Sequence, residues 1–313
     1  STPDSGISGS NVSNASIAAV SAQYSSNFSA TGNSLRGYSE AGLWIYGADY
    51  AYVANNTLDS FNDGIRLGNY GGYAVSYATV ASNSLTNCWN YGIRETETGT
   101  GNSFTSNSIG NSSIGMEINC NSCLLANNTV SNSSNTGIYL NGGDSTSLSG
   151  DSVSDSNYCI YVSATNSNLD SISISNCTDG IYFDGATDSN VTNATIGESN
   201  YSVQFYSSTG VLVQDSHFTS TLEPGWDVCS AYNSNNTLLN NTFAMGENNG
   251  LNRSRAGWGE SCASGAANAT ASCMGTPASC SSFGAFTCRG QQGCYWDCGG
   301  IAGRESTCSL APG

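Results

Sequence analysis

Residues 125–140 read LANNTVSNSSNTGIYL, and two patterns in this stretch decide the fold. Leu125 and Val130 form an apolar pair with four residues between them, and Gly137-Ile138-Tyr139-Leu140 follows after a short polar segment. Apolar residues that alternate with others at a period of two predict β-strands with one buried face. The apolar runs are too short, and too often broken by Asn, Ser and Gly, for helices of about ten residues or more.

The apolar pair recurs along most of the chain. Ten pairs share its spacing: Val12/Ile17, Val53/Leu58, Val80/Leu85, Phe104/Ile109, Leu125/Val130, Leu148/Val153, Leu169/Ile174, Val191/Ile196, Val213/Phe218 and Leu238/Phe243, with Ala30/Leu35 as a degenerate eleventh. The second members follow one another at intervals of 18 to 27 residues. A period in this range indicates stacked structural repeats.

A second signature follows most pairs and consists of a small residue, an apolar residue, a variable residue and another apolar residue. It begins at Gly42, Gly64, Gly115, Gly137, Gly180 and Gly225, with Cys159 and Ser202 in the same place. Two short strands that cannot bury a face alone, repeated every ~22 residues, predict coils that stack on one another.

These segments resemble the repeats of a known family. The apolar-x-x-Asn-x-apolar segment, as in Val80-Ala81-Ser82-Asn83-Ser84-Leu85, and the later Gly-Ile-Tyr strand are similar to those of the right-handed parallel β-helix family of the pectate-lyase-like kind. The resemblance implies an all-β fold, a right-handed single-stranded parallel β-helix of about eleven coils with three short strands per coil. The family includes lyases, hydrolases, adhesins and structural shafts, so the resemblance does not imply one activity.

Two domains are expected from the extent of the repeat. The β-helix is predicted over residues 1–250, and a junction with a small disulfide-rich module over residues 251–313. In that module Cys273–Phe283 and Gln292–Trp296 resemble short Cys-rich modules of cell-surface proteins. Its favoured role is a cap that protects the last coil.

A column of asparagines supports the stacking. The column contains Asn33, Asn56, Asn83, Asn107, Asn128, Asp151 and Asn241, and Ile172, Ala194 and Ser216 interrupt it. Asn tolerates left-handed backbone angles, so we expect these residues to form the corner. Their amides are also expected to hydrogen-bond from coil to coil.

The composition limits the possible partners. The chain contains no lysine, and 7 arginines stand against 23 acidic residues, for a net charge of −16. Repulsion from phosphate argues against nucleic acid and against an anionic membrane surface, and no apolar run approaches the ~18 residues of a membrane-spanning helix. An uncharged exterior of Ser, Thr, Asn and Gly suits saccharides or copies of the same chain.

Thirteen cysteines favour an oxidising, extracellular or cell-surface location. They are Cys88, Cys120, Cys123, Cys159, Cys177, Cys229, Cys262, Cys273, Cys280, Cys288, Cys294, Cys298 and Cys308. The odd number leaves at least one free thiol or one bond to another chain. Cys120 and Cys123 have the spacing of zinc ligands, but no second Cys-x-x-Cys and no nearby His completes a site, so a disulfide is favoured there. The start at Ser1 without Met fits a removed signal peptide, although an engineered start would look the same.

The variable residues of the second signature are expected to form an outward column. This column contains Trp44, Arg66, Arg94, Glu117, Tyr139, Tyr161 and Tyr182, and continues with Gln204 and Asp227. Tyrosines ~4.8 Å apart can stack on one another or on sugar rings. The column is therefore either a self-stabilising ladder with Arg–Glu pairs or a face that contacts a ligand or another subunit.

Glu95 occupies an inward position that Leu67 and Ile118 hold in neighbouring repeats. A buried carboxylate is costly unless it is paired. We expect the coil to bulge so that Glu95 and Glu97 face solvent. The alternative is a functional pocket beside Arg66 and Arg94.

The sequence offers little support for catalysis. A glycoside hydrolase needs two carboxylates across the scissile bond, whereas Asp63, Asp155 and Asp179 fall in distant coils. A lyase needs calcium ligands and a base, but Asp170, Asp184 and Asp188 are too scattered and lysine is absent. His217 is expected to be an outward strand residue. We therefore predict no catalytic site, metal or cofactor.

Fifteen Asn-x-Ser/Thr sequons are candidate glycosylation sites. They are Asn11, Asn14, Asn27, Asn55, Asn111, Asn127, Asn132, Asn176, Asn190, Asn193, Asn200, Asn235, Asn240, Asn252 and Asn268. Asn14, Asn55, Asn127, Asn193 and Asn240 are expected to share one repeat position and to form a row along one edge.

We predict the first of three functions and keep the other two as alternatives. The first is a secreted, non-catalytic structural or surface building block that assembles with copies of itself into a filament or surface layer. The second is a carbohydrate-binding adhesin that uses the tyrosines of the outward column. The third is a polysaccharide lyase or glycoside hydrolase, with Glu95, Glu97, Glu117, Arg66 and Arg94 as its site.

Overall fold

The computed structural model describes residues 5–15, 17–68, 71–219, 221–231, 236–239, 241–242, 294–297 and 307–310. This part of the chain consists of strands and turns, and it contains no helix that could cross a membrane. Successive strands lie parallel to the equivalent strands one repeat away. The predicted all-β parallel solenoid is therefore confirmed.

One side of the solenoid is an eleven-stranded parallel sheet, so ten windings separate its first strand from its last. This first sheet consists of Gly6–Ser8, Ser29–Thr31, Tyr52–Ala54, Thr79–Ala81, Ser103–Thr105, Leu124–Ala126, Ser147–Ser149, Asn168–Asp170, Asn190–Thr192, Leu212–Gln214 and Thr237–Leu239.

Two further sheets complete each coil, and they begin as separate strands. The second sheet starts with Asn11–Ser13, Ser34–Arg36, Thr57–Asp59 and Ser84–Thr86, and the third with Ala18–Gln23, Ala41–Tyr46, Asp63–Leu67 and Tyr91–Glu95. From Ser108 onward one longer strand per coil crosses both sheets: Ser108–Ile118, Thr129–Leu140, Ser152–Val162, Ser173–Asp184 and Thr195–Tyr206, followed by His217–Phe218 and Thr221–Ala231.

Two small pairings lie outside these sheets. Gly99–Thr100 pairs in parallel with Cys120–Asn121. Cys294–Asp297 pairs in antiparallel fashion with Thr307–Leu310 within the predicted C-terminal module. The rest of that module, the predicted junction and the proposed capping contact lie outside the described residues.

The apolar pairs fill the interior, as predicted. Leu125, Val130 and Ile138 have no exposed surface, and each aligns with apolar residues of the coils on either side. Burial of an aliphatic side chain contributes ~1.5–3 kcal/mol, whereas ordering a residue costs ~1.5 kcal/mol. A single coil with only a few such residues cannot be stable by itself, so neighbouring coils stabilise one another.

The register differs from the prediction at the first repeat. Ile7 pairs with Ala30 and Val12 with Leu35, so the first apolar pair is Ile7/Val12 and the predicted pair Val12/Ile17 is wrong. Ile17 is 62% exposed. Both pairs have the same spacing, so only the coil-to-coil pairing distinguishes them.

The register also differs at the last described repeat. Ser199 pairs with Thr221, but Tyr201 pairs with Trp226, so three additional residues enter the later strand. Gln204 therefore pairs with Cys229, and the prediction of Asp227 in the outward column is wrong.

The asparagine ladder is confirmed. The Nδ2 atom of Asn56 lies 2.9 Å from Asn83 Oδ1, and Asn83 Nδ2 lies 3.0 Å from Asn107 Oδ1. The ladder runs from Asn33 to Asp151 without a break. It is interrupted at Ile172 and Ala194, and Asn241 accepts a hydrogen bond from the Ser216 N–H at 2.9 Å.

The ladder residues do not form the corner themselves, so that part of the prediction is wrong. The residue before each of them has the left-handed backbone, as at Asn55 (φ 56°), Ser82 (φ 55°) and Asn127 (φ 55°). Turning the chain and forming the ladder therefore fall to two adjacent residues, and there is a physical reason for this. The preceding residue turns the chain with its side chain toward solvent, so the ladder amide can point inward.

The glycine at the start of the second signature permits close packing between coils. A Cβ atom on Gly64 would lie 2.4 Å from Leu85 Cδ2 and 2.6 Å from the Gly92 carbonyl oxygen. A Cβ on Gly115 would meet Val130 at 2.3 Å. A side chain at Gly64 or Gly115 would therefore force the next coil to shift, because the backbone of that coil lies directly against both residues.

Five of the cysteines have described side chains. Cys120 is bonded to Cys123 and Cys159 to Cys177, and Cys88 is a buried free thiol. Burial raises the pKa of Cys88 to about 12. The side chains of Cys229, Cys262, Cys273, Cys280, Cys288, Cys294, Cys298 and Cys308 lie outside the described part of the chain.

Candidate functional site

The outer face of the third sheet carries the predicted outward column. Backbone pairing aligns its seven members in successive coils: Trp44, Arg66, Arg94, Glu117, Tyr139, Tyr161 and Tyr182. A second column, three residues earlier in each strand, runs beside it and contains Asp63, Tyr91, Ile114, Thr136, Tyr158, Asp179 and Tyr201. The two columns together form one face, which we call the third-sheet face.

Ion pairs cover the first half of this face. Arg66 binds Asp63 at 2.6 Å and Glu40 at 2.7 Å, and its guanidinium lies 5.0 Å from the centre of the Trp44 ring. The Arg66 side chain is only 3% exposed, so the expectation that it projects into solvent is wrong. Burial raises the pKa of Asp63, although Arg66 opposes this effect. The arginine is buried because carboxylates of two coils and an indole surround it.

Arg94 and Glu117 form the next ion pair. Arg94 Nε lies 3.0 Å from Glu117 Oε2, and its guanidinium lies 4.1 Å from the centre of the Tyr91 ring. Asn141 donates a hydrogen bond of 2.7 Å to Glu117 Oε1. Glu117 is also buried rather than exposed. In this half of the face the charged side chains therefore bind one another.

The second half of the face is an aromatic cluster, which we call the tyrosine cluster. It consists of Tyr139, Tyr158, Tyr161 and Tyr182. Tyr139 and Tyr161 have ring centres 4.9 Å apart in an edge-to-face arrangement, and Tyr161 and Tyr182 have centres 5.1 Å apart. Tyr158 lies 5.3 Å from Tyr182. All four rings are half-buried, so each keeps part of its surface accessible.

Two carboxyl groups border the tyrosine cluster. Asp184 accepts a hydrogen bond from the Tyr161 hydroxyl. Burial and this hydrogen bond raise the pKa of Tyr161, and burial together with Asp184 raises the pKa of Tyr182 to about 12. Tyr161 and Tyr182 therefore remain neutral hydrogen-bonding groups at physiological pH.

Asp179 is the second carboxyl group. It is 6% exposed, and its Oδ1 atom has no hydrogen-bond partner. Burial raises the pKa of Asp179 to about 7. A buried carboxyl oxygen without a partner is costly, so Asp179 is a candidate acceptor for a ligand's hydrogen bond.

The sequence pattern places Asp179 only among acidic residues of distant coils, whereas the structure places it within the strand Ser173–Asp184. The sequence pattern did not point to Tyr158. The sequence does show that Asp179 and Asp63 share one repeat position, because Asp179 directly precedes Gly180 just as Asp63 directly precedes Gly64.

The predicted exposure of Glu95 is wrong. Glu95 is 1% exposed, and its Oε1 atom accepts a hydrogen bond of 2.6 Å from Asn102 Nδ2. Burial raises the pKa of Glu95 well above its usual value, although Asn102 and the Gly99 N–H oppose this effect. The coil does not bulge there, since Glu95 still pairs with Leu67. Glu97 is half-buried and accepts a hydrogen bond from the Gly72 N–H.

The other acidic candidates lie on the outside of the solenoid. Asp155 lies on a corner and Asp170 ends a strand of the first sheet, and hydrogen bonds from Asn176 and Thr192 lower their respective pKa values. Asp188 is exposed, and His217 is an exposed strand residue. In the described residues, one group of three potential metal ligands lies close together, namely Glu95, Cys120 and Cys123.

Most described sequons are accessible. Asn11, Asn14, Asn27, Asn55, Asn111, Asn127, Asn132, Asn176, Asn190 and Asn193 are exposed, Asn200 is half-buried, and Asn235, Asn240, Asn252 and Asn268 lie outside the described residues.

The sequons form two rows rather than the single predicted row. Asn55, Asn127 and Asn193 occupy the corner after the first sheet, whereas Asn14 belongs to the next corner. This error follows from the register of the first repeat. A shallow depression at that next corner is lined by Asn132, Asp155, Asn176 and Asn200, and no aromatic residue lines it.

Known proteins share this fold. The family model of the right-handed β-helix region matches residues 2–153 and 136–262. No curated protein matches the sequence. The A-module of the mannuronan C-5 epimerase AlgE4 from Azotobacter vinelandii is 12% identical, with a TM-score of 0.53 over 76% of this chain and 87% of the epimerase module.

Two other solved structures are similar at the same level. The endo-xylogalacturonan hydrolase from Aspergillus tubingensis is 13% identical, with a TM-score of 0.54 over 76% of this chain and 83% of the hydrolase. The receptor-binding domain of the Siphovirus 9NA tailspike is 9% identical, with a TM-score of 0.55 over 73% of this chain and 49% of that domain. Identities this low establish a shared fold alone. From the family match, the chain belongs to the right-handed β-helix family.

Proposed function

We propose that this β-helix is an extracellular, non-catalytic protein that binds neutral glycans through the tyrosine cluster and Asp179. The observation that carries the proposal is the unpartnered Oδ1 atom of Asp179 beside four half-buried tyrosines. Aromatic rings pack against the apolar C–H faces of sugars, and a carboxyl oxygen accepts hydrogen bonds from sugar hydroxyls. Both kinds of group are present on one continuous face.

The charges favour a neutral ligand. The chain carries a net charge of −16, and on the third-sheet face Arg66 and Arg94 are paired with carboxylates. An anionic polysaccharide would have to compete with these ion pairs and overcome the overall repulsion. The disulfides Cys120–Cys123 and Cys159–Cys177 support an oxidising compartment.

Two features support binding rather than catalysis. Glu117 is held by Arg94 and Asn141, and Asp184 by Tyr161, so each is engaged in another contact. A hydrolase requires two carboxyl groups on opposite sides of one scissile bond. Asp179 alone does not meet this requirement. The epimerase and the hydrolase of similar fold are named for polysaccharide substrates, which supports a saccharide ligand but no particular reaction.

A glycan array tests the proposal. We expect the protein to bind neutral oligosaccharides, and we expect the triple variant Tyr139→Ser/Tyr161→Ser/Tyr182→Ser to lose binding by about tenfold or more, since each aromatic contact contributes ~1 kcal/mol. Tyr50→Ser/Tyr77→Ser is the matched control, because these rings stack on each other at 5.2 Å on a different corner. An array without any binder would contradict the proposal, as would a triple variant that binds normally. New reducing ends that depend on Asp179 would indicate a hydrolase instead.

Self-assembly is a second candidate, and the first coil favours it. Ile17 is 62% exposed, and Ile7, Val12 and Val20 are only partly buried. These exposed and partly buried apolar side chains can pack against another copy of the chain. We expect sedimentation velocity to detect oligomers that Ile17→Asp disrupts. A protein that remains monomeric at all concentrations would count against assembly.

A further inference from the structure

Glu95, Cys120 and Cys123 meet inside the solenoid. One potential ligand atom from each lies within 4.8 Å of the other two, and all three residues are buried. Glu95 ends its strand of the third sheet, and the segment after it pairs with the next coil through Gly99 and Cys120. This pairing brings the Cys-x-x-Cys segment of one coil over the carboxylate of the coil before it.

One oxygen of the Glu95 carboxylate lacks a hydrogen-bond partner. Glu95 Oε1 accepts a hydrogen bond from Asn102, but Glu95 Oε2 is buried and has no partner. Equivalent positions in neighbouring coils carry Leu67 and Ile118, whose apolar side chains need no hydrogen-bond partner. A disulfide next to this oxygen supplies neither a hydrogen-bond donor nor a positive charge. The bonded form of Cys120 and Cys123 therefore leaves Oε2 unsatisfied.

We propose that this cluster, with Cys120 and Cys123 reduced, binds one zinc ion. A thiol or phosphine reductant supplies two electrons, two protons convert the disulfide into two thiols, and zinc binding then releases two protons as both sulfurs become thiolates. Zinc takes Cys sulfur at ~2.3 Å and carboxylate oxygen at ~2.0–2.2 Å, so one ion can reach all three groups. Water can take the fourth position.

Asn102 is placed to hold the ligands. Its backbone N–H lies 3.0 Å from Cys123 Sγ, and its side-chain amide lies 2.6 Å from Glu95 Oε1 and 2.8 Å from the Val75 carbonyl oxygen. Hydrogen bonds to thiolate and carboxylate ligands fix their orientation and offset the negative charge of the site. Cys120 and Cys123 therefore have two mutually exclusive states, namely a disulfide without metal and two thiolates that bind zinc.

Metal binding by the folded, phosphine-reduced protein tests the proposal. Cobalt is the spectroscopic probe, since sulfur-to-cobalt charge-transfer absorption reports thiolate ligands, and zinc is then used to displace it. The double variant Cys120→Ser/Cys123→Ser gives the amount of cobalt that all other cysteines bind, and this amount is subtracted. Glu95→Gln keeps the shape of the side chain but removes its charge. Glu97→Gln is the matched control, because Glu97 lies two residues away and outside the cluster.

We expect the wild-type protein to bind one more equivalent of cobalt than the double serine variant, and only after reduction. We expect Glu95→Gln to weaken this binding about tenfold or more, with Glu97→Gln unchanged. Equal binding by wild type and the double serine variant would overturn the proposal, and so would unchanged affinity in Glu95→Gln. Circular dichroism of each variant distinguishes loss of the site from loss of the fold.

Discussion

Asp63 and Asp179 occupy the same position of the third sheet, five coils apart, but only Asp63 faces an arginine. The residue three positions later is Arg66 in the first case and Tyr182 in the second. Arg66 binds Asp63 at 2.6 Å, whereas Asp179 keeps an oxygen without a partner. The same backbone geometry thus produces a closed ion pair in one coil and an open acceptor among tyrosines in another.

Asp179 should make stability depend on pH. Its pKa is raised from 3.8 to about 7 in the folded protein, so the folded state binds the proton more tightly than the unfolded state. Stability is therefore highest below about pH 4 with respect to this group and falls as pH rises to about 7, by up to about 4 kcal/mol. Urea unfolding at pH 5 and pH 8 should show about 2–3 kcal/mol of this difference, because part of it is already lost at pH 5. Asp179→Asn should remove most of it, and an unchanged pH dependence in that variant would contradict the assignment.

Asn107→Ala should strongly destabilise the protein. The variant loses the bonds of Asn107 with Asn83, Asn128 and the Val80 carbonyl, and leaves the buried N–H of Asn83 without an acceptor. We expect a loss of about 2–4 kcal/mol in the free energy of unfolding. Ser108→Ala, at the next and exposed position, is the control and should change stability by less than about 0.5 kcal/mol. Equal effects would mean that the ladder does not stabilise the stack.

Gly64→Ala should also be destabilising. The new Cβ would lie 2.6 Å from the Gly92 carbonyl oxygen, and a backbone atom cannot move aside as a flexible side chain can. We expect a cost of about 1–3 kcal/mol or more from overpacking. Gly110→Ala is the control, because its nearest neighbour would be Ser131 Oγ at 3.8 Å. Thermal melting compares the two variants, and equal melting temperatures would contradict the close packing of the coils.

On the proposed extracellular location, the native protein should carry N-glycans on exposed corners. Asn55 and Asn127 are exposed with left-handed backbones, so their amides point away from the core. We expect enzymatic glycan removal to lower the intact mass, and peptide mapping to find glycans on both corner rows. A native mass equal to that of the bare polypeptide would contradict this prediction.

Local spacing was sufficient to predict the repeat, because each coil uses the same positions. Leu125, Val130 and Asn128 were placed correctly from their intervals alone. The same reasoning misplaced Val12, since Ile7 and Ile17 are both five residues away and only contact with the next coil selects one of them. A repeated pattern therefore predicts the unit better than it predicts where the first unit begins.

Long-range contacts explain why the site was harder to predict. The burial of Arg66 depends on Glu40, which is 26 residues away, and the burial of Glu95 depends on Cys120 and Cys123 of the next coil. Loop lengths between strands determine these contacts, and the period-two pattern carries no information about them. The tyrosines of the outward column were predicted because they share one strand position. The role of Asp179 could not be predicted in this way, because it depends on a buried carboxyl oxygen that has no hydrogen-bond partner in the folded protein.

Titration calorimetry with a neutral oligosaccharide selected on the array is the sharpest test of glycan binding by the tyrosine cluster and Asp179. We expect saturable binding by the wild-type protein and normal binding by Tyr50→Ala. Asp179→Ala should bind at least about tenfold more weakly, because a hydrogen bond that a buried carboxyl oxygen accepts contributes ~1.5 kcal/mol or more. Wild-type affinity in Asp179→Ala, with the fold intact, would contradict this expectation.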